Sequence, residues 1–472
     1  MREVSVKDTA SGERRPIDPG NPVSIYACGP TVYSRIHIGN ARPFVVFSLF
    51  SRFLRSEGYD ARLVVNVTDI NDKIYEAATA AGVGSEDLAK EMTAAYLADT
   101  DRLGLGRPDS EPLASETIGP IISLIEDLIE KDHAYESGGD VYFSVRSFPD
   151  YGSLSHRDPD QMDQGEPDDG SPKRDPLDFA LWKAQKEGED TSWDSPWGSG
   201  RPGWHIECSA MAEQEADGLP LAIHGGGSDL VFPHHENEIA QSEAVRGVPL
   251  ARIWMHNGMI ETDREKMSKS EGNIFQLSEA LDRYGSDAVV SFLVSGHYRQ
   301  PLAFGEEGLD EAVARNERIR NFFREARADG MDPDGASLES LERFRDALAD
   351  DFNTPQALAE LFDLLRLANQ GEASGAAPVM REMLGLLGLE GLASESRTCQ
   401  PSSASRSRSS SAWSKSHSAL AVSRSASSAN ASSSTPSSTS ARPSSPSRPS
   451  ISRITGAAPD ASPWLASLSR SN

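Results

Sequence analysis

CGPTVYSRIHIGNARPFVV, residues 28–46, follows a short apolar run at residues 23–27. Apolar residues recur at helical spacing in its second half, so the pattern predicts a strand, a tight turn and a helix. His37, Gly39 and Asn40 lie at the turn. Free backbone N–H groups and the positive end of a helix dipole favour a phosphate there. A helix cap or a packed side chain is the alternative role for His37.

Further strands and helices follow in an order that indicates a parallel sheet. Residues 61–69 predict a second buried strand, and residues 71–103 predict helices. Strand, helix, strand, helix is typical of an α/β sheet whose ligand crevice lies at the carboxyl ends of the strands. Apolar runs at residues 221–224 and 253–255 predict that the sheet continues. We therefore predict an α/β fold with a Rossmann-like parallel sheet.

Changes in composition divide the chain into five predicted regions. These are the first half of the Rossmann-like domain at 1–115, an insertion with a strand and a surface loop at 116–200, the second half of that domain at 201–300, an α-helical bundle at 301–394 and a tail at 395–472. The tail is rich in Ser, Arg and Pro without period and is predicted to be disordered. A reading-frame error in the gene is the alternative explanation for it.

The charge is strongly negative and unevenly distributed. The 472 residues carry a net charge of −26, and residues 395–472 hold nine basic and two acidic residues, which leaves 37 basic and 70 acidic residues before them. Such acidity argues against indiscriminate nucleic-acid binding but leaves room for a local basic groove. Our preferred explanation of the negative charge is a solvated surface adapted to high salt, and a halophilic source is a hypothesis that follows from it. Stability that is indifferent to the withdrawal of salt would contradict it.

The sequence also bears on cellular location. It contains no run of about 18 apolar residues that would predict a membrane span. The N-terminus has no apolar segment of a secretory signal. Three scattered cysteines are too few for a disulfide framework and fit a reducing cytoplasm.

Four side chains make a candidate zinc site. His234 and Glu238 are four residues apart and would share one face of a helix. Cys28 and Cys208 supply two thiolates, and two Cys, one His and one Glu suit zinc. The alternative is that each cysteine is a buried free thiol that serves only as a small apolar side chain. Three other histidines are possible substitutes or neighbours of the site: His205, His224 and His235.

Two further motifs are candidates for ligand binding. A glycine run and an acid are predicted to form a loop in which the backbone approaches a ligand closely, namely Gly225, Gly226, Gly227 and Asp229. An ordinary turn is the alternative, and no G-x-S-x-G elbow accompanies the run to suggest a hydrolase. After Asn257 a hairpin is predicted to lead into KMSKS, which contains Lys266 and Lys269. Two solvated surface lysines are the alternative reading of that motif, and no Walker A sequence offers another phosphate site.

HIGN at residues 37–40 together with KMSKS at residues 266–270 is the motif pair of class I aminoacyl-tRNA synthetases. The longer runs resemble the cysteinyl-tRNA synthetase family: CGPTVY, RPGWHIECSAM, HGGGSDLVFPHHENEIAQSE and MHNGMIETDREKMSKSEGN. The resemblance covers about residues 20–390. Asn40 stands where many class I enzymes have His, which is an ordinary variant in this family.

The resemblance implies a cysteine–tRNA ligase that activates L-cysteine with ATP and Mg²⁺ and transfers it to tRNA(Cys). It implies one Zn²⁺ per chain, held by Cys28, Cys208, His234 and Glu238. It implies that His37 and Asn40 contact the ATP phosphates and that Lys266 and Lys269 steady the departing pyrophosphate, with Gly39 and the 225–229 loop on the nucleotide side. Motif adjacency places Gly29, Thr31 and Trp204 beside the substrate pocket, although core packing is the alternative for Trp204. The helical bundle would face the anticodon stem of the tRNA, and the protein would be a cytoplasmic monomer.

Two other functions compete with this expectation. A cysteine ligase of the mycothiol pathway uses the same adenylate and zinc but joins cysteine to an amino sugar. The helical bundle and the KMSKSEGN sequence favour the synthetase, whereas the unusual tail leaves the ligase open. A catalytically silent, synthetase-like binding protein is the second alternative.

Overall fold

The computed structural model describes residues 1–162, 173–216, 218–262, 265–266, 275–325 and 332–394. The predicted tail at 395–472 and Lys269 lie outside these residues, and of Lys266 only the backbone is described.

The chain begins with a short antiparallel hairpin and the first two strands of a parallel sheet. The elements are β1 (Ser5–Lys7), β2 (Arg14–Pro16), β3 (Val23–Ala27), α1 (Ile38–Ser56), β4 (Ala61–Val65), α2 (Asp72–Ala81) and α3 (Ser85–Asp101). Strands β3 and β4 pair in parallel with Ile25 opposite Leu63. Helix α1 buries Phe44, Phe47 and Phe50, which recur at helical spacing and form part of the main core.

The middle of the chain forms a separate layer, called the insertion below. It consists of α4 (Ile118–Glu130), β5 (Ala134–Ser137), β6 (Asp140–Phe143), β7 (Phe179–Ala184) and β8 (Gly200–Pro202). The four strands pair antiparallel in the order β5-β6-β7-β8 and pack with α4 around a second hydrophobic core, to which residues 206, 210, 240 and 245 also contribute. The sequence predicts one strand here, whereas the structure contains four.

The parallel sheet is completed after the insertion. The elements are α5 (Trp204–Glu215), β9 (Leu221–Gly227), a π-helical turn at Val231–His235, α6 (Glu236–Arg246) and β10 (Ala251–Asn257). The strand order is β10-β9-β3-β4 and every pair is parallel. The predicted loop at Gly225–Gly227 is wrong, because these glycines pair with residues 255–257 of β10 and end β9.

The last part of the described chain is mostly helical. The elements are β11 (Ile260–Thr262), β12 (Glu265–Lys266), α7 (Leu277–Tyr284), α8 (Ser286–Leu293), β13 (Leu302–Phe304), α9 (Glu306–Glu325), α10 (Gly335–Ala349), α11 (Thr354–Gln370) and α12 (Ala376–Leu386). The hairpin predicted after Asn257 is present as the antiparallel pair β11 and β12. Strand β13 interrupts a stretch for which the sequence predicts helix almost throughout, and it pairs in parallel with β11.

The predicted fold class is confirmed: an α/β parallel sheet carries an insertion and continues into helices α9 to α12, called the helical region below. Within the described part of the chain, no helix has both the length and the apolar character needed to cross a membrane.

Candidate active site

Four buried side chains from distant segments meet at the carboxyl edge of the parallel sheet. Cys28 follows β3, Cys208 lies on α5, His234 lies in the π-helical turn and Glu238 lies in the first turn of α6. Their ligand atoms all lie within 4.8 Å of one another. Glu238 Oε1 is 3.1 Å from His234 Nε2 and 3.5 Å from Cys28 Sγ. The structure thus brings together the four residues singled out in the sequence.

Local structure explains how the four side chains come to face each other. His234 and Glu238 are one helical turn apart, so both project from the same face across the junction of the π turn and α6. Helix α5 is joined to α6 by the Ser209 hydroxyl, which donates to Gln241 Oε1 at 2.6 Å. This bond lies one residue after Cys208 and fixes that cysteine relative to Glu238.

Burial sets the protonation of the ring nitrogens and thiols. It lowers the pKa of His234 and of His205 to about 3 and the pKa of His235 well below its usual range, so all three rings are neutral near pH 7. Burial also raises the pKa of Cys28 well above its ordinary value. The hydrogen bond with Cys28 is the largest single influence on Cys208 and lowers its pKa, but burial and the nearby Glu238 carboxylate together raise the pKa overall. Neutral imidazoles can donate a lone pair to a metal, whereas the thiols must first lose protons.

A second combination of buried side chains also lies within ligand distance. Cys28, His224, His235 and Glu238 have ligand atoms within 4.8 Å of one another. However, His224 Nδ1 lies 3.2 Å from the carbonyl oxygen of Tyr26, to which it must donate, and Nε2 lies 2.7 Å from Glu238 Oε2. His224 thus contacts the Tyr26 carbonyl oxygen with one ring nitrogen and the Glu238 carboxyl group with the other. The contact holds Oε2 of Glu238 and leaves Oε1 facing Cys28 and His234.

The donor set decides what this cluster can hold. Two sulfurs, one imidazole and one carboxylate match a tetrahedral zinc site or another soft-to-borderline divalent ion. The cluster is at most 5% exposed, so unpaired charge inside it would be costly without a cation. A metal ion could bind here.

The HIGN turn caps helix α1. His37 is the N-cap: its Nδ1 accepts from Gly39 N at 3.1 Å, and Asn40 Oδ1 accepts from His37 N at 3.2 Å. Ile38 N donates to the carbonyl oxygen of Phe275, and Leu277 N donates to that of Ile36, each at 3.1 Å. The segment that follows KMSKS is therefore hydrogen-bonded to the HIGN turn, although Lys269 itself lies outside the described chain.

The three residues predicted beside the substrate pocket lie on the segments around the cluster of Cys28, Cys208, His234 and Glu238. The half-buried Trp204 ring is 4.6 Å from the His234 ring, centroid to centroid. Half-buried Thr31 forms a parallel bridge with Thr68 just beyond the ends of β3 and β4. A Cβ on Gly29 would lie 1.7 Å from the carbonyl oxygen of Asn66, so only glycine allows this approach.

The glycines at the end of β9 allow equally close packing. A Cβ on Gly225 would meet the carbonyl oxygen of Met255 at 2.1 Å. A Cβ on Gly226 would lie 3.6 Å from the Cβ of Cys28. Gly226 thus borders the cluster of four candidate ligands. Asp229 is exposed just after the strand. These positions put the backbone, rather than side chains, at this part of the sheet edge.

Sequence reasoning missed three residues of this region. Asn66 is fully buried next to Cys208. The Lys73 side chain is exposed, and its ammonium lies 6.0 Å from the centroid of the Trp204 ring. Arg42, also fully buried, donates to the carbonyl oxygens of residues 258, 259 and 297 and so ties α1 to the start of the β11–β12 hairpin. Asn66 directly follows a parallel strand, and that position at the ligand edge is the signal that could have found it.

Comparisons with known proteins agree with this architecture. Residues 15–314 match the family described as tRNA synthetases class I (C) catalytic domain, and residues 343–390 match the DALR domain. The chain is 49% identical over 370 residues to the cysteine–tRNA ligase of Carboxydothermus hydrogenoformans, covering 76% of this chain and 78% of that protein. It is 48% identical over 376 residues to the cysteine–tRNA ligase of Methylobacillus flagellatus, covering 79% and 82%.

A solved structure shares the fold at low sequence identity. It is Mycobacterium tuberculosis methionyl-tRNA synthetase in complex with methionyl-adenylate, with a TM-score of 0.61, 16% identity and coverage of 79% of this chain and 92% of that one. At this identity the likeness concerns the fold alone.

Proposed function

This chain belongs to the cysteinyl-tRNA synthetase family of class I aminoacyl-tRNA synthetases, and we propose that it activates L-cysteine with ATP and joins it to the 3′ end of tRNA(Cys). The single observation that carries the choice of amino acid is the buried cluster of two Cys, one His and one Glu at the ligand edge of the sheet. Such a cluster suits recognition of a substrate that carries sulfur.

Zinc is the metal that we propose for this cluster. Cys28, Cys208, His234 and Glu238 would hold it, because thiolate and imidazole donors suit zinc and the site is closed to bulk water. When bound, zinc supplies a borderline-soft Lewis acid that coordinates a thiolate in preference to a hydroxyl.

This preference addresses a real selectivity problem. Serine differs from cysteine by one atom, and shape alone separates such pairs by only about 1–3 kcal/mol. The Trp204 ring against His234 would limit the space around the substrate sulfur. A bound zinc ion would distinguish sulfur from oxygen chemically. Recognition of this kind would make editing of misactivated serine unnecessary.

The remaining residues would position ATP, with its Mg²⁺, for attack by the cysteine carboxylate. The carboxylate attacks the α-phosphate in line and pyrophosphate leaves, and a ribose hydroxyl of tRNA then attacks the adenylate carbonyl. His37 and Asn40 cap α1 and would contact the phosphates themselves, where the positive end of the helix dipole favours negative charge. Lys266 and Lys269 would steady the pyrophosphate charge as it develops. Gly39, the glycines ending β9 and Asp229 would form the nucleotide side, and Gly29 and Thr31 the amino-acid side.

The helical region supports the tRNA substrate over the amino-sugar alternative. Residues 343–390 match the DALR domain within it, in agreement with a synthetase that extends beyond its catalytic domain. Attachment of cysteine to tRNA(Cys), compared with transfer to the amino sugar, tests this choice directly. Family resemblance is the support for a cytoplasmic monomer, which sedimentation of the purified protein would check.

Replacement of one thiolate tests the zinc assignment. We expect Cys208→Ser to lose bound zinc and cysteine-dependent ATP–pyrophosphate exchange together, because serine keeps the size but removes the soft donor. Metal content and exchange activity would be measured on the same preparation. Cys399→Ser is the matched control, since Cys399 is the third cysteine and has no assigned role. Retention of both zinc and exchange by Cys208→Ser would contradict the proposal.

A further inference from the structure

Asn66 lies between the two cysteine ligands at the sheet edge. It is fully buried and directly follows β4, next to the strand that ends in the Cys28–Gly29 turn. Helix α5 brings Cys208 to its other side. One side chain therefore touches both segments that supply sulfur to the cluster.

The hydrogen bonds fix which way the Asn66 amide points. Gly29 N is 2.9 Å from Asn66 Oδ1, and since a backbone N–H only donates, the oxygen must face it. The amide nitrogen then faces the opposite side. Nδ2 lies 3.6 Å from Cys208 Sγ and 3.3 Å from Thr68 Oγ1, which gives each of its two hydrogens an acceptor.

This arrangement suits a metal-bound thiolate better than a free thiol. A thiolate accepts hydrogen bonds from amide N–H groups, and a charged acceptor makes the bond stronger. Cys208 is 1% exposed, so water does not supply this stabilisation. Groups behind the ligands of a metal site orient them and tune their donor strength.

We propose that Asn66 is a positioning residue of the metal site: its amide donates to the Cys208 thiolate and accepts from Gly29, and so holds both sulfur ligands in register. The inference rests on the proposed function, because it assumes that the cluster binds zinc. It adds a residue that is not itself a ligand and that contacts the turn predicted to border the amino-acid pocket.

Asn66→Asp is the sharpest test. Aspartate keeps the shape and the acceptor for Gly29 N, but it replaces the donor to Cys208 with a second negative charge. We expect zinc to bind about 10–100-fold more weakly, measured by competition with a chromophoric chelator. With Co²⁺ in place of zinc, the sulfur-to-metal charge-transfer band should shift, and a purely structural role would leave that band in place.

Asn316→Asp is the matched control. Asn316 is also buried, at 1% exposure, but lies on α9 in the helical region. The Asn316→Asp substitution introduces a buried carboxylate away from the cluster, so zinc affinity and the cobalt spectrum should equal those of the unaltered protein. Equal weakening in both Asp variants would overturn the proposal, because the loss would then reflect general destabilisation.

A second variant keeps the test decisive if the aspartate chain does not fold. Asn66→Ala removes the donor without adding charge and should weaken zinc binding less than Asp does, with a shifted cobalt band. Unchanged affinity and spectrum in a folded Asn66 variant would overturn the inference. Failure of the unaltered protein to bind zinc would instead overturn the proposed function, so the two failures are distinguishable.

Discussion

Cys28 and Cys208 are 5% and 1% exposed, and a thiolate loses its hydration when it is buried to this degree. Burial accordingly raises the pKa of Cys28. At Cys208 the hydrogen bond with Cys28 lowers the pKa most, but burial and the Glu238 charge together raise it overall. His234 is different, because its pKa of about 3 leaves the ring neutral. At neutral pH both thiols of the free site therefore hold their protons, whereas one nitrogen of the His234 ring is already unprotonated.

Metal binding should consequently depend steeply on pH. Each thiol releases a proton when a metal binds, so two protons leave, and apparent zinc affinity should rise by about 100-fold per pH unit between about pH 6 and pH 8. The pKa values of both thiols are raised, so this rise continues through the neutral range rather than levelling off below it. Chelator competition across this range measures the slope, and calorimetry in buffers of different ionisation enthalpy counts the protons. An affinity independent of pH would contradict the assigned ligands.

The sequence revealed the parts of this site unevenly. The four-residue spacing of His234 and Glu238 predicts a shared helix face, and the structure places both on it. No local pattern relates Cys28 to Cys208, because their meeting depends on how α5 packs against β3. That pairing came from the donor chemistry and from family resemblance. Asn66 carries no signal in composition or period, and its role emerged from hydrogen bonds across three segments.

Among whole elements, helix α2 and the insertion are joined through one carboxylate. Lys183 Nζ on β7 is 2.7 Å from Asp72 Oδ2, and Arg201 on β8 pairs with the other oxygen. Burial would raise the pKa of Asp72, but these two cations lower it to about 2. The ion pairs hold the antiparallel sheet of the insertion against α2, the helix that follows β4 and Asn66.

Asp72→Asn should change how the free energy of unfolding depends on pH in the acid range. A carboxylate whose pKa is lower in the folded chain than the usual value near 4 stabilises the fold above about pH 4, and this contribution is lost as pH falls toward 2. We expect the variant to be less stable than the parent near neutral pH and to converge with it near pH 2. Urea unfolding at several pH values measures the difference.

A surface ion pair provides the control for that experiment. Asp101 is 61% exposed and pairs with Arg107 at 3.2 Å, so Asp101→Asn should alter unfolding little at any pH. A stability gap between Asp72→Asn and the parent that stayed constant from neutral to acid pH would contradict the role given to Asp72.

Elements were predictable where they are long and periodic. Helix α1 has 19 residues with aromatic residues on one face, and its pattern is unambiguous. Strands β8 and β13 have three residues each, which is too few for a period to emerge. A glycine run after a strand predicts a loop in which the backbone approaches a ligand, but pairing with β10 makes Gly225–Gly227 the end of β9.

Over the whole molecule, the helical region meets the parallel-sheet domain through the turn between α10 and α11. Asp351 is fully buried there and accepts from Lys7 N at 2.8 Å, Tyr298 Oη at 2.9 Å and Arg299 Nε at 2.7 Å. Asp351 and Phe352 have φ values of +62° and +47°, which bulky side chains rarely adopt. The surrounding contacts must offset this strain.

Phe352 supplies the apolar half of that contact, and its removal should expose how much the interface contributes. Its ring is 1% exposed and lies edge-on to Phe50 of α1 at 5.1 Å between centroids, with Phe53 at 6.5 Å. We expect Phe352→Ala to lower the free energy of unfolding by about 3–5 kcal/mol, because a fully buried ring leaves a cavity. Chemical denaturation measures the loss.

The matched control lies on the neighbouring helix. Phe362 of α11 is only half-buried and has the Arg318 guanidinium 4.9 Å above its ring, so Phe362→Ala should cost clearly less than Phe352→Ala. The comparison isolates the interface, since both substitutions remove the same side chain from the helical region. Because Phe50 lies on the helix that His37 caps, Phe352→Ala should also slow cysteine-dependent pyrophosphate exchange, whereas Phe362→Ala should not. Equal stability losses in the two variants, or unchanged exchange in Phe352→Ala, would show that the turn does not couple the helical region to the HIGN helix.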